Sequence, residues 1–141
     1  MLGQLHWISA STPGGTKSGL DFDNIMGQLE NTYQRTYGAF PINTFRCYFL
    51  ADQAVSRRWH VVADGGGTPG MPRSMFFGDG GKRISTLAHE LGHNLTLKHT
   101  FTQNAQHVYK YLNTDNIMDY SGSDSTFYYW QWKEMNPGGF S

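Results

Sequence analysis

Residues His89-Glu90-Leu91-Gly92-His93 place two imidazoles four positions apart, with a carboxylate beside the first. Helical positions four apart lie about 40° apart around the axis and one turn apart along it, so both rings can close on one ion. Glu90 stands about 100° around from His89, within reach of a water on that ion without being a ligand itself. Imidazole ligands, an open coordination position and a carboxylate that can take a proton are the parts of a zinc-dependent hydrolase. Such a site needs a third protein ligand. His99 follows ten positions after His89. In a continuous helix it would point about 80° away from His89 and lie about 9 Å beyond His93. The chain must therefore leave the helix between His93 and His99 if all three are to meet. His107 and Glu134, the only glutamate after the motif, are the other candidates for third ligand.

The pattern resembles the metzincin clan of zinc endopeptidases, whose long motif reads HExxHxxGxxH. His89, Glu90, His93 and His99 match it position by position, but Thr96 stands where the motif has glycine. Glycine permits the left-handed backbone that turns the chain toward the third histidine, and a β-branched residue adopts that conformation at a cost of about 1–2 kcal/mol. Downstream, Asn116-Ile117-Met118-Asp119-Tyr120 is similar to the clan's methionine-containing turn, with Met118 nineteen positions after His99. Tyr120 matches a tyrosine that, in some branches, ligates the metal or donates a hydrogen bond to the tetrahedral intermediate.

The resemblance implies an α+β fold of zincin or metzincin type: a small twisted mixed sheet backed by a long helix, then the HExxH helix, then a short C-terminal part with a Met-turn and a terminal helix. It implies one catalytic domain over 1–141, with an upper part to about 95 and a lower part over 96–141. It further implies one catalytic Zn2+ on His89, His93 and His99, with Met118 as an apolar floor and Glu90 and Tyr120 as catalytic groups. The expected reaction is cleavage within a protein or peptide substrate that adds as a strand to the sheet's outermost, antiparallel strand. Arg73–Gly78 is a candidate for that part of the sheet. Secretion or delivery outside the producing cell, and control by a separate protein inhibitor, belong to the same expectation. The specific region, Thr86 to Tyr120, is about a quarter of the chain. Two other functions remain open. One is a zinc-binding interaction domain without catalysis, against which the intact Glu90 argues; the other is a non-peptidase zinc hydrolase such as an amidase.

Positioning these groups requires a scaffold, and the pattern supplies one. Leu2 to Ser9 reads as a short strand and Ser11 to Gly19 as a loop. Phe22, Ile25, Met26, Leu29 and Tyr33 form one stripe of an amphipathic helix, capped by Asp21 or Asp23 and ended by Gly38. Thr44 to Ala51 alternates as a strand, with Phe45, Cys47 and Phe49 on one face, and Cys47 is expected to be buried and inert. Trp59 to Ala63 and Ser74 to Phe77 read as strands joined through a mobile connection, Asp64 to Gly70. The motif helix starts at Ser85 or Thr86, with Ile84, Leu87, Ala88, Leu91 and Leu95 as its expected buried stripe. Phe127 to Trp132 reads as a helix packed under the site. Asp115 or Asp119 is a candidate to orient a ligand imidazole.

The remaining composition excludes several classes. At 141 residues, 38% hydrophobic and 15% aromatic, the chain is long enough for one core and too apolar for disorder despite 17 glycines. Eleven basic and eleven acidic residues balance, which argues against nucleic acid or an anionic membrane face as partner. A single cysteine excludes an internal disulfide and a cysteine-built zinc cluster. No apolar run reaches the roughly 18 residues of a membrane span. The first residues lack the basic-then-apolar order of a signal peptide, so either the domain was cut from a longer precursor or the protein has no such signal. Asp21, Asp23 and the 119–124 run are weak candidates for calcium, since no calcium loop is recognisable. A monomer is expected.

Overall fold

The computed structural model describes residues 5–67, 69–120 and 125–138. It is an α+β fold of three α-helices and two sheets. The chain begins with a hairpin, β1 (Trp7–Thr12) and β2 (Gly15–Asp21), followed by the long helix α1 (Phe22–Tyr37). Four short strands come next: β3 (Arg46–Leu50), β4 (Ala54–Ser56), β5 (Val61–Ala63) and β6 (Gly65–Gly67). Strand β7 (Arg73–Phe77) leads through a 3-10 turn, Gly78–Lys82, into α2 (Ile84–Asn94), and α3 (Tyr129–Met135) follows a long irregular stretch. One sheet runs in the order β1-β2-β4-β5 and the other β3-β7-β6. The second is mixed: β7 is parallel to β3 and antiparallel to β6. The chain passes from the first sheet to the second at Asp64, between β5 and β6.

The expected loop at Ser11 to Gly19 is instead half of the hairpin. Gly15, at φ 93, opens β2, and only Gly19, Leu20 and Asp21 at its far end are buried. The rest of β2 is polar and solvent-facing, so it lacks the apolar alternation by which a strand is recognised. The expected first strand begins later, at Trp7; Leu2 to Gln4 lie outside the described residues. Strand β4, only three residues long, carried no periodic signal.

Helix α1 packs as its stripe requires. Ile25 and Leu29 are buried with Leu20, Ala54, Met75 and Phe77, so one core joins α1 to both sheets. Gly38 ends the helix at φ 85, which glycine adopts without strain. Asp21 occupies the N-cap position, but its carboxylate does not bond the helix amides; it accepts from Asn24 and contacts His6. Asp23 accepts from Ser56 Oγ and the amides of Arg57 and Arg58, pinning the helix start to the turn after β4. Both carboxylates suggested for calcium are thus held by protein donors.

The polar side of α1 carries a second tie. Glu30 accepts from Arg46 Nε and Nη2 at 3.0 and 3.1 Å, Arg73 Nη1 at 3.1 Å and Tyr48 Oη at 2.7 Å. Burial raises its pKa, but the bonds from Arg46, Tyr48 and Arg73 outweigh burial and hold it below the usual value. The folded pKa is the lower one, so this stabilisation is complete above the ordinary carboxylate range and is lost as pH falls through the folded value. Glu30→Gln should cost about 2–3 kcal/mol at pH 7. Urea midpoints measured from pH 6 to pH 3 should converge for the two proteins; a constant gap across that range would contradict the linkage.

Strand β3 turns its Arg46, Tyr48 and Leu50 side toward α1, leaving Phe45, Cys47 and Phe49 outward. Cys47 is therefore exposed rather than buried. The alternation was correct, but the ion cluster on Glu30, not the phenylalanine pair, selected the inner face.

Candidate metal centre

Helix α2 buries a polar face. Its fully enclosed residues are His89, Glu90, Gly92, His93 and Asn94, whereas Ile84 is 83% exposed and Leu87, Ala88, Leu91 and Leu95 are only partly covered. The expected leucine anchor is thus not what holds the helix. On the sheet side, Asn94 Nδ2 donates to the Arg73 carbonyl at 2.9 Å, and Ser74 Oγ donates to Asn94 Oδ1 at 2.7 Å. On the opposite side the helix meets the C-terminal segment. A polar face between two walls can replace an apolar one when each buried group is bonded.

Glycine strand β6 sets how closely α2 approaches. A Cβ at Gly67 would stand 2.8 Å from the Glu90 carbonyl oxygen, and one at Gly65 3.1 Å from the Glu90 carboxylate. A Cβ at Gly66 would stand 2.7 Å from the Phe22 ring on the other face. Gly65–Gly67, within the segment read as a mobile connection, are therefore a strand clamped between two helices. Gly67→Ala, which must displace backbone, should lower stability by about 1–3 kcal/mol and loosen Glu90. Thermal unfolding would register this; an unchanged midpoint would show that the helix approach is soft.

The end of α2 makes the bend that the histidines require. Thr96 takes φ 81, the left-handed conformation of the motif glycine. The Leu97 amide bonds the Gly92 carbonyl, and the Thr96 amide bonds the His93 carbonyl, both at 3.0 Å. This pair closes a helix end of the Schellman type. Leu97 is buried, and its carbonyl accepts from His93 Nδ1 at 2.8 Å. Thr96→Gly should therefore stabilise the protein by about 1 kcal/mol, glycine's unfolded-state entropy offsetting part of the relieved strain. A denaturant midpoint that fell instead would mean that the threonine side chain contributes an interaction of its own.

After the bend, His99 returns to the helix. Its Nε2 lies 3.2 Å from His89 Nε2 and 3.1 Å from His93 Nε2. Among the described residues, His89, His93 and His99 are the one set of His, Cys, Asp or Glu with ligand atoms all within 4.8 Å of one another. His107 instead meets the Trp130 ring edge-on, and Glu134 lies with Lys98 and Gln106 at a separate surface hollow. Neither joins the cluster.

The donor arrangement fits a cation. His89 Nδ1 donates to the Ile117 carbonyl at 2.6 Å and His93 Nδ1 to Leu97, so both Nε2 atoms present lone pairs. Burial is the main cause of a lowered pKa at all three rings, with like-charged neighbours adding to it at His93, held near 4, and His99, held near 3. Three neutral acceptors therefore face one point. With Zn–N bonds of 2.0–2.1 Å, the edges of a tetrahedron measure about 3.3 Å, close to two of the separations found. The main-chain carbonyls orient His89 and His93. Asp119 and Asp115 do not: Asp119 instead accepts from the amides of Leu112, Asn113, Thr114 and Tyr120, and Asp115 from Tyr128. The ring of His99 is held by a parallel stack on Phe101, centroids 4.9 Å apart and 7° between planes.

Met118 is fully buried beneath this group. A Cβ at Gly92 would come within 2.7 Å of its sulfur, so the glycine between the two helix histidines makes room for it. Asn116 Oδ1 accepts from the Met118 amide, and Asn116 and Gln131 exchange amide hydrogen bonds at 2.6 and 3.0 Å in full burial. Gln131 belongs to α3, which spans Tyr129–Met135 rather than starting at Phe127. That helix fixes the turn whose Ile117 carbonyl orients His89. Nothing in the spacing of Gln131 could have announced this.

Glu90 is 7% exposed, and its burial pushes the carboxyl up to about 8, opposed by the Gly67 amide. Tyr120 Oη donates to His99 Nε2 at 2.7 Å. Desolvation of the hydroxyl, then the charges of Glu90 and Tyr111, raise its pKa and keep the phenol protonated. Arg73–Gly78, the candidate for the substrate side of the sheet, supplies β7, the central strand; it pairs with the antiparallel outermost strand, β6. The described residues contain no helix long and apolar enough to cross a membrane. The chain matches no protein-family model, no curated protein and no solved structure.

Proposed function

We propose that this chain is a zinc-dependent endopeptidase of the metzincin type, with His89, His93 and His99 as the metal ligands. The observation that carries the reading is the convergence of three Nε2 atoms, with Tyr120 Oη bonded to that of His99 and Glu90 buried beside His89 on the same helix. The left-handed bend at Thr96 and the buried Met118 support the clan resemblance independently of the pentapeptide. A zinc ion here would supply a Lewis acid and make a water molecule acidic enough to attack at neutral pH.

The protein groups then divide the remaining work. The carboxyl that burial raises would be drawn back down by a divalent cation on the histidines, and Glu90 then takes a proton at its carboxylate from the attacking water and returns it to the leaving amide nitrogen. Its enclosure by β6 and α2 keeps bulk water from competing for that proton. Tyr120, held protonated, donates its hydroxyl hydrogen to the oxyanion that develops on the carbonyl. Met118 and the carbonyls of Ile117 and Leu97 fix the imidazoles, so little reorganisation is needed during the reaction. Strand β6 offers main-chain groups to an extended peptide, which would add as a further antiparallel strand. Its glycines place no side chain between that peptide and Glu90. Action outside the producing cell and control by a separate inhibitor follow from the resemblance alone.

The purified chain with one equivalent of zinc should cleave a mixed peptide library at internal bonds, and a hydroxamate or a chelator should stop it. Bound zinc with no cleavage would favour the interaction-domain alternative. Release of terminal or side-chain amides alone would favour an amidase.

A further inference from the structure

Beside the histidines stands a group of rings of which one, Tyr111, has no part in the proposed chemistry. Phe101, stacked on His99, meets Tyr111 edge-on with centroids 4.7 Å apart. Tyr111 and Tyr120 lie 6.3 Å apart with their planes at 84°, and each is about half exposed. Phe101 packs against both, its centroid also 5.7 Å from that of Tyr120, and the exposed sides of the two tyrosines are left for a further ring.

The chain around Tyr111 is held at both ends. The Tyr109 amide bonds the Thr100 carbonyl at 2.8 Å, beside His99. On the other side of Tyr111, the amides of Leu112, Asn113 and Thr114 and the Thr114 hydroxyl all donate to Asp119. Tyr111 thus sits between two anchored residues, one tied to the strand of chain carrying His99 and the other to the Met-turn. Burial would raise the Asp119 pKa, but these bonds and that from the Tyr120 amide prevail and keep it ionised. The chain on either side of Tyr111 is thus fixed while its ring stays half exposed and able to meet a further group. The all-glycine β6 supplies only backbone to a peptide, so side-chain selection must come from another wall. The Tyr120 hydroxyl reaches His99 Nε2, which puts one of the two tyrosines at the reaction centre.

We propose that Tyr111 and Tyr120, backed by Phe101, form a subsite for an aromatic side chain of the peptide, next to the bond that is cut. The inference rests on the peptidase reading and specifies its substrate class. Peptides differing only in Phe or Ala at positions flanking one scissile bond provide the test. The wild-type zinc protein should favour Phe at one of those positions by about tenfold or more in kcat/KM. Tyr111→Ala should reduce that ratio to within about threefold of unity, and Tyr111→Phe should retain it. Zinc-loaded Glu90→Gln, in which turnover is slowed about a thousandfold, should hold the Phe peptide more tightly than the Ala peptide, and Tyr111→Ala in that background should erase the difference. Cleavage without aromatic preference, or a preference untouched by Tyr111→Ala in a folded protein, would overturn the subsite and leave the peptidase standing. Failure to cleave any peptide would remove both.

Discussion

Zinc-loaded Glu90→Gln is expected to lose about three orders of magnitude in kcat while still binding one zinc per chain. Proton transfer by a positioned side chain is worth about 10²–10⁴ in rate, and Glu90 is asked to transfer a proton twice in each cycle. Glutamine has nearly the same shape, so it fills the space between α2 and β6 that Gly65 and Gly67 leave open. The histidines keep their carbonyl partners at Ile117 and Leu97, because neither bond involves Glu90. Metal content and rate should therefore separate. Zinc analysis alongside peptide turnover measures both, and full turnover by the metal-loaded variant would remove Glu90 from the mechanism.

His99→Ala should have the opposite signature, weakening zinc by more than about 100-fold. Loss of a partner that merely orients a ligand costs 10–100-fold in affinity, and His99 is proposed as a ligand itself. The Nε2 of His99 is the one that approaches both others, at 3.1 and 3.2 Å. Removing it leaves two imidazoles on a helix and breaks the stack on Phe101. His107→Ala and Glu134→Ala should leave affinity within about twofold, since neither side chain stands at the cluster. Competition against a chelating dye gives all three values. Unchanged affinity in His99→Ala would place the third ligand elsewhere.

The site was legible in the sequence because a four-residue spacing on a helix is a statement about geometry. His89, Glu90 and His93 needed only that Ser85 to Asn94 be helical, and the structure makes them so. The position of His99 was legible only conditionally. Helical continuation forbade the third ligand, and whether Thr96 would turn the chain depended on Leu97 finding a buried place beyond it. Leu97 gathers at Gly92 with Met118 and Phe127, which lie far downstream, and local spacing does not encode that meeting. The leucine stripe misled for a related reason: Ile84, Leu87 and Leu91 have the right period, but both sides of α2 were already taken by bonded polar walls, one at Arg73 and Ser74 and the other at Ile117. Periodicity reports a preferred face, and specific hydrogen bonds can outbid it.

Gly65-Gly66-Gly67 shows the same limit in reverse. A run of glycines reads as freedom, yet here absent side chains are what let two helices close on one strand. The amino-acid order by itself determined a helix carrying His89, Glu90 and His93 and a helix–strand alternation before it, since each depends on neighbours a few residues apart. Only the tertiary structure decided which face of each element is buried, which histidine completes the triad and which rings stand beside it. Those outcomes depend on groups distant in the chain satisfying one another's hydrogen bonds and volume at the same time.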